Sequence, residues 1–164
     1  MQRRRAGAAT GIALIVAGIC IAGCSNALGT GDSTELTAAT NSTTRIAVPA
    51  GGQLVVQGAI LEKYNQAGAT NGPLGLPISN EAPTPNGGRY SNFQGGRIYW
   101  TPQTGAHIVW GNIDATWRFD HGGAEGPLGY PISDEESVSG GWRQEFQHGT
   151  VTFTDGRPHV QIAD

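Results

Sequence analysis

Apolar residues follow three successive rhythms along this chain of 164 residues. Over residues 11–21 they form an unbroken run of Ile, Ala, Leu, Val and Gly, interrupted by Cys20 alone. Over residues 25–44 they lose periodicity, and nine of the twenty residues are Ser or Thr. Such a stretch cannot offset the entropy of ordering. From residue 45 onward, helical spacing and strand alternation take turns. In residues 58–68, Ile60, Leu61, Tyr64 and Ala67 make one apolar helix face, and Gly68 supplies a C-terminal stop. Ile113, Trp117 and Phe119 predict a second helix before Gly122 and Gly123. Two hairpins are expected, one from 89–93 and 97–101 and one from 142–146 and 150–154, each around a short Gln- and Gly-containing turn. Alternation places Ile98 with Trp100, and Val151 with Phe153, on one face. It leaves Tyr99 on the opposite face, the more exposed position. Residues 107–110 add a strand that leads into Gly111, and His159-Val160 begins its counterpart.

These signals occur twice in the same order. Gly72-Pro73-Leu74-Gly75-Leu76-Pro77-Ile78-Ser79-Asn80-Glu81 answers to Gly126-Pro127-Leu128-Gly129-Tyr130-Pro131-Ile132-Ser133-Asp134-Glu135. Phe93-Gln94-Gly95-Gly96-Arg97-Ile98 answers to Phe146-Gln147-His148-Gly149-Thr150-Val151, and Gly58, Ile60 and Tyr64 to Gly111, Ile113 and Trp117. The offsets run 53, 54, 53, so the second copy carries one extra residue between helix and turn. A fixed period of this size means one structural unit used twice. The expected fold is α+β: two tandem repeats, each a short helix, a Gly/Pro turn and a β-hairpin. Residues 45–58 resemble residues 97–111 and read as the back half of an earlier repeat, capping the N-terminal edge. Chance likeness between short Gly/Val strands is the alternative. The organisation expected is 1–23 leader, 24–44 tether, 45–110 cap plus first repeat, and 111–164 second repeat.

The leader has secretory order: Arg3-Arg4-Arg5, the apolar run, then Ile21-Ala22-Gly23-Cys24. The run is shorter than the roughly 20 residues a spanning helix needs. Its end resembles the lipobox of bacterial lipoproteins, in which the cysteine thiol takes a diacylglyceryl chain and becomes the new N-terminus. Cys24 is therefore the expected lipidation site, and two acyl chains make a stable anchor. The expected location is the cell membrane, lipid-anchored and facing the extracytoplasmic wall side. The tether would span roughly 25 Å. Removal of the leader leaves seven basic residues against thirteen acidic ones. No basic patch suggests nucleic acid, so none is expected as a partner, and the acidic balance argues against simple attraction to anionic polymers or anionic lipid. Cys20 leaves with the leader and Cys24 carries lipid, so no disulfide is expected.

The repeated motif, Gly-Pro-Leu-Gly-x-Pro with a later Glu, then Phe-Gln-x-Gly-x-Ile-x-Trp and Thr-Gly-Ala-His, resembles the LGFP repeat family over about residues 53–164. The third motif position, aromatic in the family, is Leu76 in the first copy and Tyr130 in the second. The resemblance implies a secreted or surface protein of mycolic-acid-bearing actinobacteria. Family arrays form ring-like arrangements and occur fused to mycolyltransferases and peptidoglycan-acting enzymes, where they hold the protein to the wall. This sequence shows two copies, and no fused catalytic domain is expected from it.

Enzyme chemistry finds little support. The chain has no Gly-rich phosphate loop and no Gly-x-Ser-x-Gly elbow. Glu81 and Glu135 follow the turn in both copies; a catalytic pair is less expected than loop-capping carboxylates. His107 and His159 occupy equivalent places and are expected to bond a turn rather than a metal. His121 and His148 are unrepeated and expected in solvent. No metal or cofactor is expected. Sugar binding needs aromatic faces and planar polar groups. Tyr90, Tyr99, Trp110, Tyr130 and Trp142 are the candidates, with Asn92, Gln94 and Gln147 nearby and Tyr99 and Trp142 preferred. Gly72, Pro73, Leu74, Gly75, Pro77 and Glu81, with Gly126, Pro127, Leu128, Gly129, Pro131 and Glu135, are read as structural motif positions. The partners expected are cell-wall polysaccharide or peptidoglycan, and the membrane through diacylglycerol on Cys24. A module recruiting an envelope protein is the alternative, and a wall hydrolase or acyltransferase a distant third.

Overall fold

A computed structural model describes residues 42–163. Cys24, the 1–23 leader and most of the 24–44 segment lie outside the described residues. The chain enters as a hairpin, β1 (Thr43–Ala47) and β2 (Gln53–Gln57), followed by helix α1 (Gly58–Gln66). The strand begins at Thr43, two residues inside the expected tether, because Thr43 and Thr44 pair with Gln57 and Val56. A four-stranded antiparallel meander follows: β3 (Ala82–Pro83), β4 (Arg89–Asn92), β5 (Arg97–Thr101) and β6 (Gly105–Val109). Helix α2 (Gly111–Ala115) comes next and continues as a π-turn over Thr116–Asp120. A second meander closes the described chain: β7 (Glu136–Val138), β8 (Gly141–Phe146), β9 (Gly149–Thr154) and β10 (Arg157–Ile162). The two-residue β3 carries no apolar alternation, so sequence pattern does not announce it.

Two cores repeat one another at six positions. Val56, Ile60, Tyr64, Leu74, Phe93 and Ile98 build the first, and Val109, Ile113, Trp117, Leu128, Phe146 and Val151 build the second. Each core therefore combines the strand before a helix, the helix, the turn after it and the next sheet. Burying each large side chain contributes about 1.5–3 kcal/mol. The extra residue of the second copy is the π-turn. Trp117 and Tyr64 keep equivalent places, and the surplus is absorbed between Trp117 and Gly122 as one wider helical turn. That widening turns Phe119 outward to 75% exposure, so it does not join the apolar face expected of it.

The first sheet serves both cores. Ile98, Trp100 and Ile108 pack on α1, whereas Tyr99, Val109 and Tyr90 pack on the second core. The face expected to meet solvent is covered by the next repeat. The N-terminal hairpin follows the same plan with a register correction. Val56 and Val109 both stand two residues before the glycine that opens a helix, and Ile46 takes the place of Tyr99, one residue from the alignment with Ile98.

Candidate functional site

The repeated turn is built to hold the fold together. Gly75 and Gly129 have φ of 66° and 67°, a region that costs any residue with a Cβ. Their surroundings also exclude one: a Cβ would stand 2.6 Å from Gln94 Oε1 in the first copy and 2.7 Å from Gln147 Oε1 in the second. Those amides are occupied, because Leu76 N–H donates to Gln94 Oε1 and Tyr130 N–H to Gln147 Oε1, both at 2.9 Å. Helix aromatics reach the same turn. The Tyr64 hydroxyl donates to the Gly75 carbonyl (2.7 Å) and the Trp117 indole N–H to the Gly129 carbonyl (3.0 Å). At Gly72 and Gly126 a Cβ would fall 1.8 and 1.6 Å from the helix-end carbonyls of Ala67 and His121. Leu74, Leu128, Pro77 and Pro131 are buried, while Pro73 and Pro127 stay exposed.

The residue before each motif Glu ties one repeat to the next. Val55 N–H donates to Asn80 Oδ1 (3.0 Å), and Ile108 N–H donates to Asp134 Oδ1 (2.9 Å). Gln144 Nε2 donates to the Ile108 carbonyl (2.8 Å), so both free edge groups of β6 at that residue are capped. Burial alone would raise the Asp134 pKa. The His107 imidazole, the Lys63 ammonium and the Ile108 N–H outweigh it and bring it down to about 2. His107 Nε2 donates to the Thr104 carbonyl (2.8 Å), the expected turn contact, whereas His159 is exposed. Equivalent position thus does not give the two histidines equivalent surroundings. His148 is exposed and His121 half-buried.

Two of the five aromatic candidates, Tyr99 and Tyr130, are buried within the protein, and a third, Tyr90, is half-buried against Tyr99. Tyr99 is 7% exposed, stacked 5.3 Å from Tyr90 and edge-on to Trp117 at 4.8 Å. Burial pushes its hydroxyl up to about 12. Tyr130 is buried, and its hydroxyl donates to the Pro85 carbonyl (2.5 Å). Tyr90 is half-buried against the second core. Asn92 Nδ2 donates to Ser79 Oγ (3.0 Å), so it too is engaged within the protein. Beside Tyr99, Asp114 replaces the core Leu61 of the first copy and pairs with Arg97 and Arg118. Burial raises the Asp114 pKa and the two guanidinium groups oppose that rise.

Trp110 and Trp142 are brought together. With Phe153, Pro73, Asn112 and Glu135 they line an open cleft of about 430 Å³ between the repeats. Trp142 is 50% exposed at the end of β8 nearest β7, and Trp110 is half-buried where β6 passes into α2. The cleft holds the main difference between the copies. In the first, Glu81 is buried and paired with Arg89. In the second, the strand position of Arg89 belongs to Trp142: Arg89 lies opposite Trp100, and Trp142 opposite the equivalent Phe153. Glu135 therefore keeps its place but loses its cation. Burial pushes its carboxyl up to about 7; the Trp110 indole and backbone N–H pull it down, and the Asp114 charge adds to the rise. The Arg-to-Trp exchange opposite a retained Glu is visible when the two copies are aligned, and it is the signal that sequence reasoning passed over. Among the described residues no group of three or more His, Cys, Asp and Glu could hold a metal ion, and no helix is long and apolar enough to cross a membrane.

The LGFP repeat family matches residues 74–126 and 128–162, more than half of the chain. Its unit runs from the turn through the sheet to the end of the following helix, which is the grouping that packs α2 on the first sheet. No curated protein matches the chain.

Proposed function

The chain belongs to the LGFP repeat family, and from that membership we propose a lipid-anchored, non-catalytic envelope protein that binds cell-wall glycan in the Trp110–Trp142 cleft. Repeats of this family point to a cell-envelope-associated repeat protein. The observation that carries the finer reading is the cleft itself: Trp142 is half-exposed beside Trp110, with Glu135 and Asn112 at the same opening. Sugar C–H faces pack on such rings, and hydroxyls bond to carboxyl and amide groups. The non-catalytic part is supported by the different states of the two motif carboxylates. Glu81 is engaged by Arg89, so Glu135 has no second motif carboxylate beside it in the cleft with which to form an acid/base pair. The Cys24 lipid would hold one end and the cleft would grip polysaccharide or peptidoglycan at the other, so two weak attachments reinforce each other.

Co-sedimentation of the full chain with isolated wall tests this reading. Retention that falls with Trp142→Ala supports it, and a folded chain left in the supernatant refutes it. One observation favours recruitment of an envelope protein as a second reading. The π-turn presents Phe119, 75% exposed, with the Arg118 guanidinium 4.5 Å from its ring centre, and exposed aromatic and Arg residues suit protein interfaces. Phe119→Ser would then abolish partner capture and leave wall retention intact.

A further inference from the structure

The cleft contains half of an ion pair. In the first repeat the motif carboxylate, Glu81, is neutralised by Arg89 from β4. In the second repeat the carboxylate remains as Glu135, and the residue at the Arg89 position is Trp142. Among the described residues no cation pairs with Glu135; its polar contacts are the indole and backbone N–H of Trp110. The remaining wall of the cleft is largely apolar, from Trp110, Trp142, Phe153 and Pro73. A partly buried carboxyl without a counter-ion is costly, and a neutral ligand would leave that cost in place. An aromatic surface with a carboxylate at its edge is suited to one class of group, an organic cation. The ring faces attract it, and desolvation strengthens that attraction.

We propose that the cleft between the repeats takes an organic ammonium group, packed against Trp110 and Trp142 and neutralised by Glu135. The ligand supplies the charge that Arg89 supplies to Glu81 in the first repeat. The other acidic group that acts on Glu135, Asp114, lies in α2 and is paired with Arg97 and Arg118, so it adds attraction without competing as a site. The acidic balance of the chain favours the same ligand charge. The proposal rests on the wall-binding reading only for where the amine is found: on amino groups left free in the wall polymer.

Two measurements on the full chain test it. The first is tryptophan fluorescence with choline, and with its uncharged isostere in which carbon replaces nitrogen. Choline should give a saturable change and the isostere should not. Trp142→Ala and Glu135→Gln should each weaken choline by about tenfold or more. Trp142→Arg, which rebuilds the first-repeat pair, should abolish the response while the fold, read by circular dichroism, is kept. Affinity should rise between about pH 5 and pH 8 as Glu135 ionises. Absence of a choline response, equal binding of the isostere, or a response that survives Trp142→Arg overturns the proposal. The second measurement compares retention on untreated wall with wall whose amines have been acetylated. Retention on untreated wall alone is expected. Equal retention on both overturns the ammonium assignment and leaves wall binding standing. Retention on neither overturns wall binding, and the choline titration then decides the chemistry of the cleft by itself.

Discussion

At the scale of single residues, the two copies act as controls for one another. Gly75 and Gly129 meet equivalent glutamine oxygens, of Gln94 and Gln147, at almost the same distance, so their effects should match. Gly75→Val and Gly129→Val should each cost about 2–3 kcal/mol, read by thermal melts. Unchanged melting in both would remove the turn from the stability account. Glu135 behaves oppositely to most acids. Its pKa is raised in the folded protein, so the folded state holds its proton over a range in which the unfolded state has lost it. Stability from this group is complete below the ordinary Glu value near 4.5 and is lost as pH rises to about 7. Glu135→Gln should therefore gain stability relative to the parent on going from about pH 4.5 to pH 7, followed by urea unfolding. A constant difference across that range would contradict the half-buried carboxyl without a counter-ion.

At the scale of elements, the period of the sequence made helices, turns and hairpins legible, because each depends on local spacing and on Gly and Pro. Surfaces were less legible. Tyr99 lies opposite Ile98 and Trp100, as alternation requires, yet α2 and its π-turn cover it. A strand pattern reports two faces, not what lies against each. Trp110 and Trp142 were legible as aromatic candidates; their meeting in one cleft depends on how α2 and β8 pack, which no local pattern encodes. The extra residue of the second copy was visible as an offset, and its conversion to a π-turn was not. Deleting Asp120 restores the first-copy spacing and should leave stability within about 1 kcal/mol of the parent, because Trp117 and Gly122 are already placed as Tyr64 and Gly68 are. Collapse of the melting transition would mean that the wider turn is needed for packing. The seam can be tested the same way. Asp134→Ala should cost about 1–2 kcal/mol by leaving Ile108 N–H without its acceptor, and Asp134→Asn should cost less, because Asn80 performs this role at Val55. Equal losses would make the charge, not the hydrogen bond, the important part.

At the scale of the molecule, the repeats form a directional stack: hairpin, helix, sheet, helix, sheet. The outer face of the second sheet carries Arg143, Thr152 and Gln161 where the first carries Tyr90, Tyr99 and Val109, so it lacks the apolar surface on which α2 packs. The seam that joins the two repeats also opens the cleft, and this places the proposed binding group between copies instead of within one. Cys24→Ser should release the chain from membranes in cell fractionation; normal retention after leader cleavage would contradict the anchor. The central claim is that the second repeat's Trp142, in the place of Arg89, converts a structural ion pair into a wall-gripping cleft. The most direct measurement is co-sedimentation of the full chain and its Trp142→Arg variant with isolated wall, with folding checked by circular dichroism. The account predicts equal folding and retention at least about tenfold weaker in the variant, a loss of 1.4 kcal/mol or more; equal retention by the two would contradict it.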